Sequence, residues 1–219
     1  MIHASVRLPG RCASQCRQWP SNSSFAAILL VVLALLVSAC GGRTSTDALA
    51  QPAEAISLSA LPDGLGRGFP TVEIDTRSTG RGALRAGAEA PNFTLRLDDG
   101  RFLNLHDLRG RPVLINFWAS WCGPCRLEMP DIVAQAQADP DLVVLAINVQ
   151  ETMAHVQPFV EEFHMIMPVA LDANAELRNL YQVRGMPSSV FIDRSGNIST
   201  IWSGILDGVL LQQLIDGIR

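Results

Sequence analysis

Lysine is absent from this chain of 219 residues, and all seventeen of its basic residues are arginines. A mechanism that needs a Schiff base or a lysine nucleophile is therefore excluded. Cysteine is also scarce: there are five in all, and only Cys122 and Cys125 lie beyond position 40. One such pair cannot form the disulfide framework that holds together small secreted scaffolds. Redox chemistry explains the pair better than a structural role does.

Acidic residues are missing from the N-terminal segment. Arg7, Arg11 and Arg17 precede an unbroken apolar run at 25–37, which ends in small residues before Cys40. A basic segment, a short apolar run and small residues together form an export signal. The run is too short for a comfortable membrane span. We predict a signal peptide at 1–39, which would also remove the two cysteines of that segment, Cys12 and Cys16.

Val37-Ser38-Ala39-Cys40 resembles a bacterial lipobox, in which the cysteine is lipidated and becomes the first residue of the mature chain. The resemblance implies a lipid on Cys40 that holds the protein to a membrane at its extracytoplasmic, periplasmic face. The alternative is an uncleaved signal anchor in which Cys40 is incidental. Both readings place the rest of the chain outside the cytoplasm.

Residues 40–83 are rich in Ala, Ser, Thr, Gly and Pro and lack sustained periodicity. We expect a flexible tether there, with a short ordered piece near Phe69–Ile74. Residues 84–219 are enough for one domain with its own hydrophobic core.

Beyond position 39 the sequence has fourteen arginines and twenty-one acidic residues, which gives a formal net charge of −7. This acidic balance argues against nucleic acid as a partner.

Residues 118–125 read WASWCGPC and follow the apolar run 113–117, so a Cys-x-x-Cys pair falls where a buried strand gives way to a helix. A thiolate at a helix N-terminus faces unpaired N–H groups and the positive end of the helix dipole, which lower the pKa of a thiol. We predict that Cys122 is the nucleophile and that Cys125 resolves the mixed disulfide. Gly123 and Pro124 suit the first helical turn.

Half of a zinc site is the alternative explanation of the cysteine pair. It would need two further ligands at matching spacing. No cysteine follows Cys125, and the histidines outside the predicted signal peptide form no spaced pair; they are His106, His155 and His164. We therefore expect no metal.

The apolar pattern predicts a β-α-β half followed by a β-β-α half. Strands at 93–97 and 101–105 alternate about an Asp-Asp-Gly turn as a hairpin. Parallel strands covered on both faces, at 111–117 and 142–147, flank a helix at 122–138. The other predicted elements are helices at 153–163, 175–181 and 206–218 and strands at 169–171, 188–193 and 198–202.

The Cys-Gly-Pro-Cys motif, Pro130 five residues after it and Gly185-Met186-Pro187 before a strand resemble the thioredoxin fold. Ala90-Pro91-Asn92-Phe93, the hairpin, the segment 148–163 and the run 191–196 are similar to the TlpA/ResA-type thiol-disulfide oxidoreductases of the AhpC/TSA-redoxin group. The resemblance implies an α/β, thioredoxin-like fold. It has a mixed central sheet flanked by helices, an N-terminal β-hairpin and an insertion after the β-α-β half.

The resemblance also implies roles for residues around the cysteines. Pro187 is expected to be cis and to face the sulfurs, with the peptide group that joins it to Met186 available to a substrate backbone. The alternative is an ordinary trans proline at the start of an edge strand. Gly123, Pro124 and Trp121 complete the predicted substrate-facing surroundings, and Trp121 is expected to pack beside the site.

Thioredoxins carry a buried aspartate where Asn116 stands, and an amide cannot take a proton. In the ResA-like group a glutamate after the next central strand approaches the cysteines, which implies that Glu151 is the base for Cys125. The alternative is a solvated residue at a helix start. Glu128 and Asp131 are expected to be solvated helix positions.

The resemblance thus implies a lipid-anchored reductase of protein disulfides, whose redox group is the Cys122–Cys125 disulfide and which needs no further cofactor. Its partners would be protein thiols and disulfides and a membrane electron donor. Clients would be the haem-attachment cysteines of apocytochrome c or the copper-site cysteines of cytochrome oxidase subunits. Two alternatives stay open: an oxidase or isomerase of exported proteins, and a thioredoxin-fold metallochaperone that holds Cu(I) between two thiolates.

Overall fold

The computed structural model describes residues 71–73, 84–97 and 100–219. The predicted signal peptide, the lipid site Cys40 and nearly all of the predicted tether lie outside these ranges.

The strands in chain order are β1 (Thr71–Glu73), β2 (Thr94–Arg96), β3 (Phe102–Asn104), β4 (Val113–Trp118), β5 (Val143–Val149), β6 (Val169–Asp172), β7 (Ser188–Ile192) and β8 (Ile198–Ser203). The helices are α1 (Gly123–Ala138), α2 (Met153–Glu162), α3 (Glu176–Leu180) and α4 (Gly208–Asp216), with a 3-10 helix at Leu105–Leu108. The strands form one sheet in the order β3-β2-β1-β6-β5-β4-β7-β8. The predicted α/β class and most predicted elements are confirmed.

The centre of the sheet is the predicted β-α-β unit. β4 and β5 are parallel, in register from Val113 beside Val143 to Trp118 beside Asn148. On its other side β4 pairs with β7 in antiparallel orientation, and β7 pairs with β8 in the same way. The sheet is therefore mixed, as in the thioredoxin fold. The chain between β5 and β7 adds α2, β6 and α3, of which α2 lies within the predicted insertion at 148–163.

The N-terminal hairpin of β2 and β3 joins the sheet through β1. This three-residue strand runs antiparallel to β2 and parallel to β6. The short ordered piece expected near Phe69–Ile74 is thus present as a strand. The sheet consequently begins before Leu84, the predicted first residue of the domain.

Alternate residues of β4 face two separate hydrophobic cores. Ile115 and Phe117 belong to the core that also holds residues of the hairpin and α3. Leu114 and Trp118 belong to the core that is covered by α1, α2 and α4. Because side chains alternate along a strand, the polar Asn116 faces this second core, on the side of the sheet that carries α1.

Tyr181, the chain's single tyrosine, ties the sheet to the segment before the hairpin. Its ring is buried against Phe93 and Phe117, with centroid distances of 6.1 and 5.8 Å. Its hydroxyl donates a 2.7 Å hydrogen bond to the Pro91 carbonyl. Burial raises the pKa of Tyr181, so the hydroxyl stays a neutral donor.

We expect Tyr181→Phe to lower the free energy of unfolding by about 1 to 2 kcal/mol, because it leaves a buried carbonyl at Pro91 without its donor. Urea unfolding at neutral pH measures the loss. An unchanged transition midpoint would contradict this account of the hydroxyl.

Candidate active site

Cys122 and Cys125 are joined in a disulfide at the start of α1. Cys122 is the N-cap residue with an extended backbone, and its sulfur accepts a 3.2 Å hydrogen bond from the Cys125 backbone N–H. Pro124 occupies the first turn, where a missing N–H removes no helical hydrogen bond. The predicted placement of the pair between a buried strand and a helix is confirmed.

The two cysteines differ slightly in burial. Cys122 is 4 % exposed and Cys125 is fully buried. Of the two residues, only Cys122 keeps any surface exposed to solvent. This asymmetry favours Cys122 as the sulfur that exchanges with a partner and Cys125 as the internal resolving sulfur.

Two tryptophans next to the pair have opposite environments. Trp118 is fully buried and lies against Phe159, with ring centroids 4.4 Å apart. Trp121 is 70 % exposed, so the expectation that it packs beside the site is wrong. The turn before Cys122 directs this side chain into solvent, where it offers apolar surface directly before the nucleophile.

The loop before β7 supplies the second flank of the site. The Met186-Pro187 peptide bond is cis, as the resemblance implies. Met186 is half-buried and packs against the core that contains both cysteines. The Pro187 carbonyl accepts a hydrogen bond from Gly204 N at 3.0 Å, which ties this loop to the end of β8.

Glu128 lies one turn after Cys125 and is fully buried. Its carboxylate oxygens accept hydrogen bonds from Asn116 Nδ2 at 2.8 Å and from Leu206 N at 2.9 Å. Burial raises the pKa of Glu128 from its ordinary 4.5 to about 7, against the lowering effect of these two hydrogen bonds. The expectation that Glu128 is solvated is therefore wrong. A carboxyl that titrates near neutral pH stands one turn from the resolving cysteine.

Glu151 holds the turn that leads to Cys122. Its carboxylate accepts hydrogen bonds from Ser120 N at 2.7 Å, from Ser120 Oγ and from Asn148 Nδ2 at 2.7 Å. Within the described ranges no hydrogen bond joins Glu151 to either cysteine. Glu151 therefore fixes the backbone before the nucleophile, and its role as the base for Cys125 stays a prediction.

A sequence model of the Redoxin family matches residues 85–205. The chain belongs to the Redoxin family. It is 33 % identical over 146 residues to the thiol-disulfide oxidoreductase ResA of Geobacillus thermodenitrificans, a match that covers 64 % of this chain and 82 % of ResA. This confirms the resemblance that the motifs carried. The protein is a thiol-disulfide oxidoreductase with a thioredoxin-like fold.

Solved structures of similar proteins agree with this assignment. A thiol:disulfide interchange protein of the thioredoxin family from Chlorobium tepidum is 29 % identical, with a TM-score of 0.54, and the match covers 63 % of this chain and 99 % of that one. The pneumococcal exposed lipoprotein thioredoxin Etrx1 of Streptococcus pneumoniae is 29 % identical, with a TM-score of 0.50 and a match covering 57 % of this Redoxin and 98 % of Etrx1.

The described part of this Redoxin contains no group of three or more His, Cys, Asp or Glu side chains placed to hold a metal ion. Across the same residues, none of the helices has the length and apolar character needed to cross a membrane.

Sequence reasoning missed the buried role of Glu128, although a signal was present. The buried side chains Cys125, Glu128, Met129 and Ile132 follow the i, i+3, i+4, i+7 spacing of one helix face. Glu128 stands in the inward stripe of α1. A carboxylate in such a stripe, directly after a cysteine pair, is a candidate for proton transfer.

Glu151→Ala in this Redoxin should lower the free energy of unfolding by about 2 kcal/mol, because two donors of Ser120 and one of Asn148 lose a charged acceptor at a half-buried site. Urea unfolding measures the loss. Glu151→Gln is the matched control: it keeps an acceptor oxygen and should lose less. Equal stability of the alanine variant and the wild type would contradict the role of Glu151 in holding this turn.

Proposed function

We propose that this Redoxin is a lipid-anchored, extracytoplasmic reductase of protein disulfides in which Cys122 attacks and Cys125 resolves. The observation that carries the proposal is the position of the cysteine pair at the start of α1, with Cys122 as the N-cap residue and Cys125 fully buried in the first turn. The helix N-terminus favours a thiolate at Cys122, and the fully buried Cys125 can react only within the protein.

The reaction has two exchange steps. In the dithiol form, the Cys122 thiolate attacks one sulfur of a substrate disulfide, and the other substrate sulfur leaves as a thiolate that takes up a proton. Cys125 then loses its proton and attacks the Cys122 sulfur of the mixed disulfide. The second substrate sulfur leaves, and the Cys122–Cys125 disulfide forms. Two electrons from a membrane dithiol donor return the enzyme to its starting form.

Glu128 is the proposed acceptor of the Cys125 proton. Its raised pKa makes it basic enough to take a proton near neutral pH and acidic enough to return it. It also lies on the buried face of α1 that carries Cys125. Glu151, the base implied by the family resemblance, is instead engaged by Ser120 and Asn148.

The surroundings of Cys122 suit a polypeptide substrate. Trp121 exposes a large apolar surface, and Met186 with Pro187 forms the other flank. Gly123 and Pro124 are exposed and present little side chain at the start of the helix, so a substrate backbone can lie close to them. We propose that an extended substrate segment lies across these five residues.

The N-terminal sequence supports export and anchoring through Cys40. Similarity to Etrx1, described as an exposed lipoprotein thioredoxin, supports the same location. In cells, Cys40→Ser should shift the protein from the membrane to the soluble fraction, whereas Cys12→Ser should not. Retention of the Cys40→Ser variant in the membrane would favour the signal anchor. Apocytochrome c and cytochrome oxidase subunits are the proposed clients.

The reduction potential tests the direction of the reaction. It is measured on residues 41–219, which include β1, by equilibration with defined ratios of oxidised and reduced dithiothreitol or glutathione. A value near that of thioredoxin, about −270 mV, is expected of a reductase. A value near about −120 mV would make the protein an oxidase. Cys122→Ser and Cys125→Ser serve as controls because neither can form the disulfide.

A further inference from the structure

Asn116 on β4 is a fully buried amide between α1 and β7. Its Nδ2 group donates to Glu128 Oε1 at 2.8 Å and to Ser189 Oγ at 3.0 Å. Ser189 is the residue of β7 that pairs with Asn116 across the sheet. The amide oxygen Oδ1 is buried as well and has no hydrogen-bond partner among the residues that the structure describes.

The direction of the Asn116 amide matters for Glu128. An amide is a donor at its nitrogen and an acceptor at its oxygen. In the orientation seen in the structure, the Asn116 Nδ2 group donates to Glu128 and so favours the ionised carboxylate. Turned over, the amide would present Oδ1 to Glu128, and only a protonated carboxyl could donate to that oxygen.

The Ser189 hydroxyl can hydrogen-bond to the Asn116 amide in either orientation of that amide. A hydroxyl accepts from an N–H and equally donates to a carbonyl oxygen. It accepts from Asn116 Nδ2 in the structure, and it could donate to Oδ1 in the reversed amide. Each direction therefore keeps both contacts of Asn116 and leaves one amide atom unpaired. Neither direction is favoured by the number of hydrogen bonds alone.

We propose that Asn116 is the positioning residue that sets the protonation state of Glu128, and that Ser189 lets its amide follow the proton. The inference rests on the proposed role of Glu128 as proton acceptor. It assigns a specific task to the position at which thioredoxins carry an acid: here an amide tunes a carboxyl that comes from the helix instead.

Among the residues that the structure describes, Asn116 is the one side chain that hydrogen-bonds to the Glu128 carboxylate. On α1, Cys125 lies one turn before it and the half-exposed Asp131 lies one turn after it. Arg126 on the same helix pairs with Glu162. Asp207, in the loop that supplies the Leu206 N–H, accepts from Leu210 N at the start of α4. The polar side chains of β4 and β7 near Glu128 are all neutral: they are Asn116 and the serines of β7.

The test is the pH dependence of mixed-disulfide resolution by the full chain in detergent, followed in single turnovers with a disulfide-bonded peptide. The wild type should show an inflection near the Glu128 pKa of about 7, and Glu128→Gln should remove it. Asn116→Ala removes the donor and should move the inflection upward by about one pH unit, a tenfold change in the acid dissociation constant. Ser189→Ala takes one contact from each direction of the amide and should move the inflection by less.

Ser188→Ala is the matched control. Ser188 is the neighbouring serine of β7, and its hydroxyl bonds to Gly185 O and Ser203 Oγ rather than to Asn116. In the Ser188→Ala variant, the inflection in the pH dependence of resolution should stay at the wild-type pH. If Asn116→Ala does not fold, Ser189→Ala and the side-chain amide resonances of Asn116 in the wild type carry the test, since those resonances should titrate together with Glu128.

The possible failures are distinct. If Glu128→Gln keeps the inflection, Glu128 is not the proton acceptor, and both the proposed mechanism and this inference fall. If Glu128→Gln removes the inflection while Asn116→Ala and Ser189→Ala leave it in place, only this inference is overturned.

Discussion

Serine in place of Cys122 is expected to abolish disulfide reduction, with a loss in turnover of about a thousandfold or more. The serine hydroxyl is not ionised near neutral pH and cannot form a disulfide, so no mixed intermediate arises. The sulfur of Cys125 cannot substitute, because it is fully buried. Turnover of a disulfide-bonded peptide with a chemical reductant as electron source measures the effect.

Serine in place of Cys125 should give a different result. Cys122 keeps its thiolate and attacks, but nothing resolves the product, so the mixed disulfide with the substrate accumulates. Non-reducing electrophoresis and mass spectrometry would detect the adduct and place it on Cys122. Accumulation of an adduct on Cys125 in the Cys122→Ser variant would reverse the assigned order of attack.

Glu128→Gln is expected to slow the resolution of the mixed disulfide about a hundredfold near pH 8, because the variant has no carboxylate to accept the Cys125 proton. First attack by Cys122 should change little. The two steps can be separated by comparing the rate at which the adduct forms with the rate at which the second substrate thiol is released.

The same substitution should change the pH dependence of stability. Burial raises the pKa of Glu128 in the folded protein from 4.5 to about 7. The contribution of this group is therefore most favourable below pH 4.5, and it is lost as the pH rises through 7. A shift of this size corresponds to about 3 kcal/mol. Urea unfolding at pH 5 and pH 8 should show the loss in the wild type and much less of it in Glu128→Gln.

A suitable control for both effects is Asp131→Asn. It removes a carboxylate from the next turn of α1, where the side chain is half-exposed. It should leave resolution and the pH dependence of stability close to those of the wild type. If the two variants behave alike, the effects belong to the helix as a whole and Glu128 has no special role.

The elements around the cysteines could be predicted because their signals are local. The apolar strand β4, the N-cap at Cys122 and the hairpin about its glycine turn each follow from a few adjacent residues. The cis bond before Pro187 followed from the family resemblance, because the proline and the cysteine pair occur together.

The environment of each acid and of Trp121 could not be predicted in the same way. Glu128 is buried by Leu206, which lies 78 residues away in the chain, and by Asn116 on β4. Glu151 accepts its hydrogen bond from Ser120, which lies 31 residues before it in the chain. Tryptophan is a large apolar residue that usually lies in a protein core. Only the direction of the turn before Cys122 leaves Trp121 in solvent. These outcomes depend on tertiary contacts that no short window of sequence contains.

The place of β1 in the sheet sets the geometry of attachment. Thr71 pairs with Leu171, Leu171 with Asn148, and Asn148 with Trp118, so β1 begins in the row where β4 ends. Three strand spacings, about 14 Å, separate β1 from β4. A lipid on Cys40 would leave about thirty residues before Thr71, which span at most roughly 110 Å. With the proposed lipid on Cys40, the length of residues 41–70 would limit how far from the bilayer surface the disulfide can work, and shortening that stretch would restrict the enzyme to clients closer to the membrane.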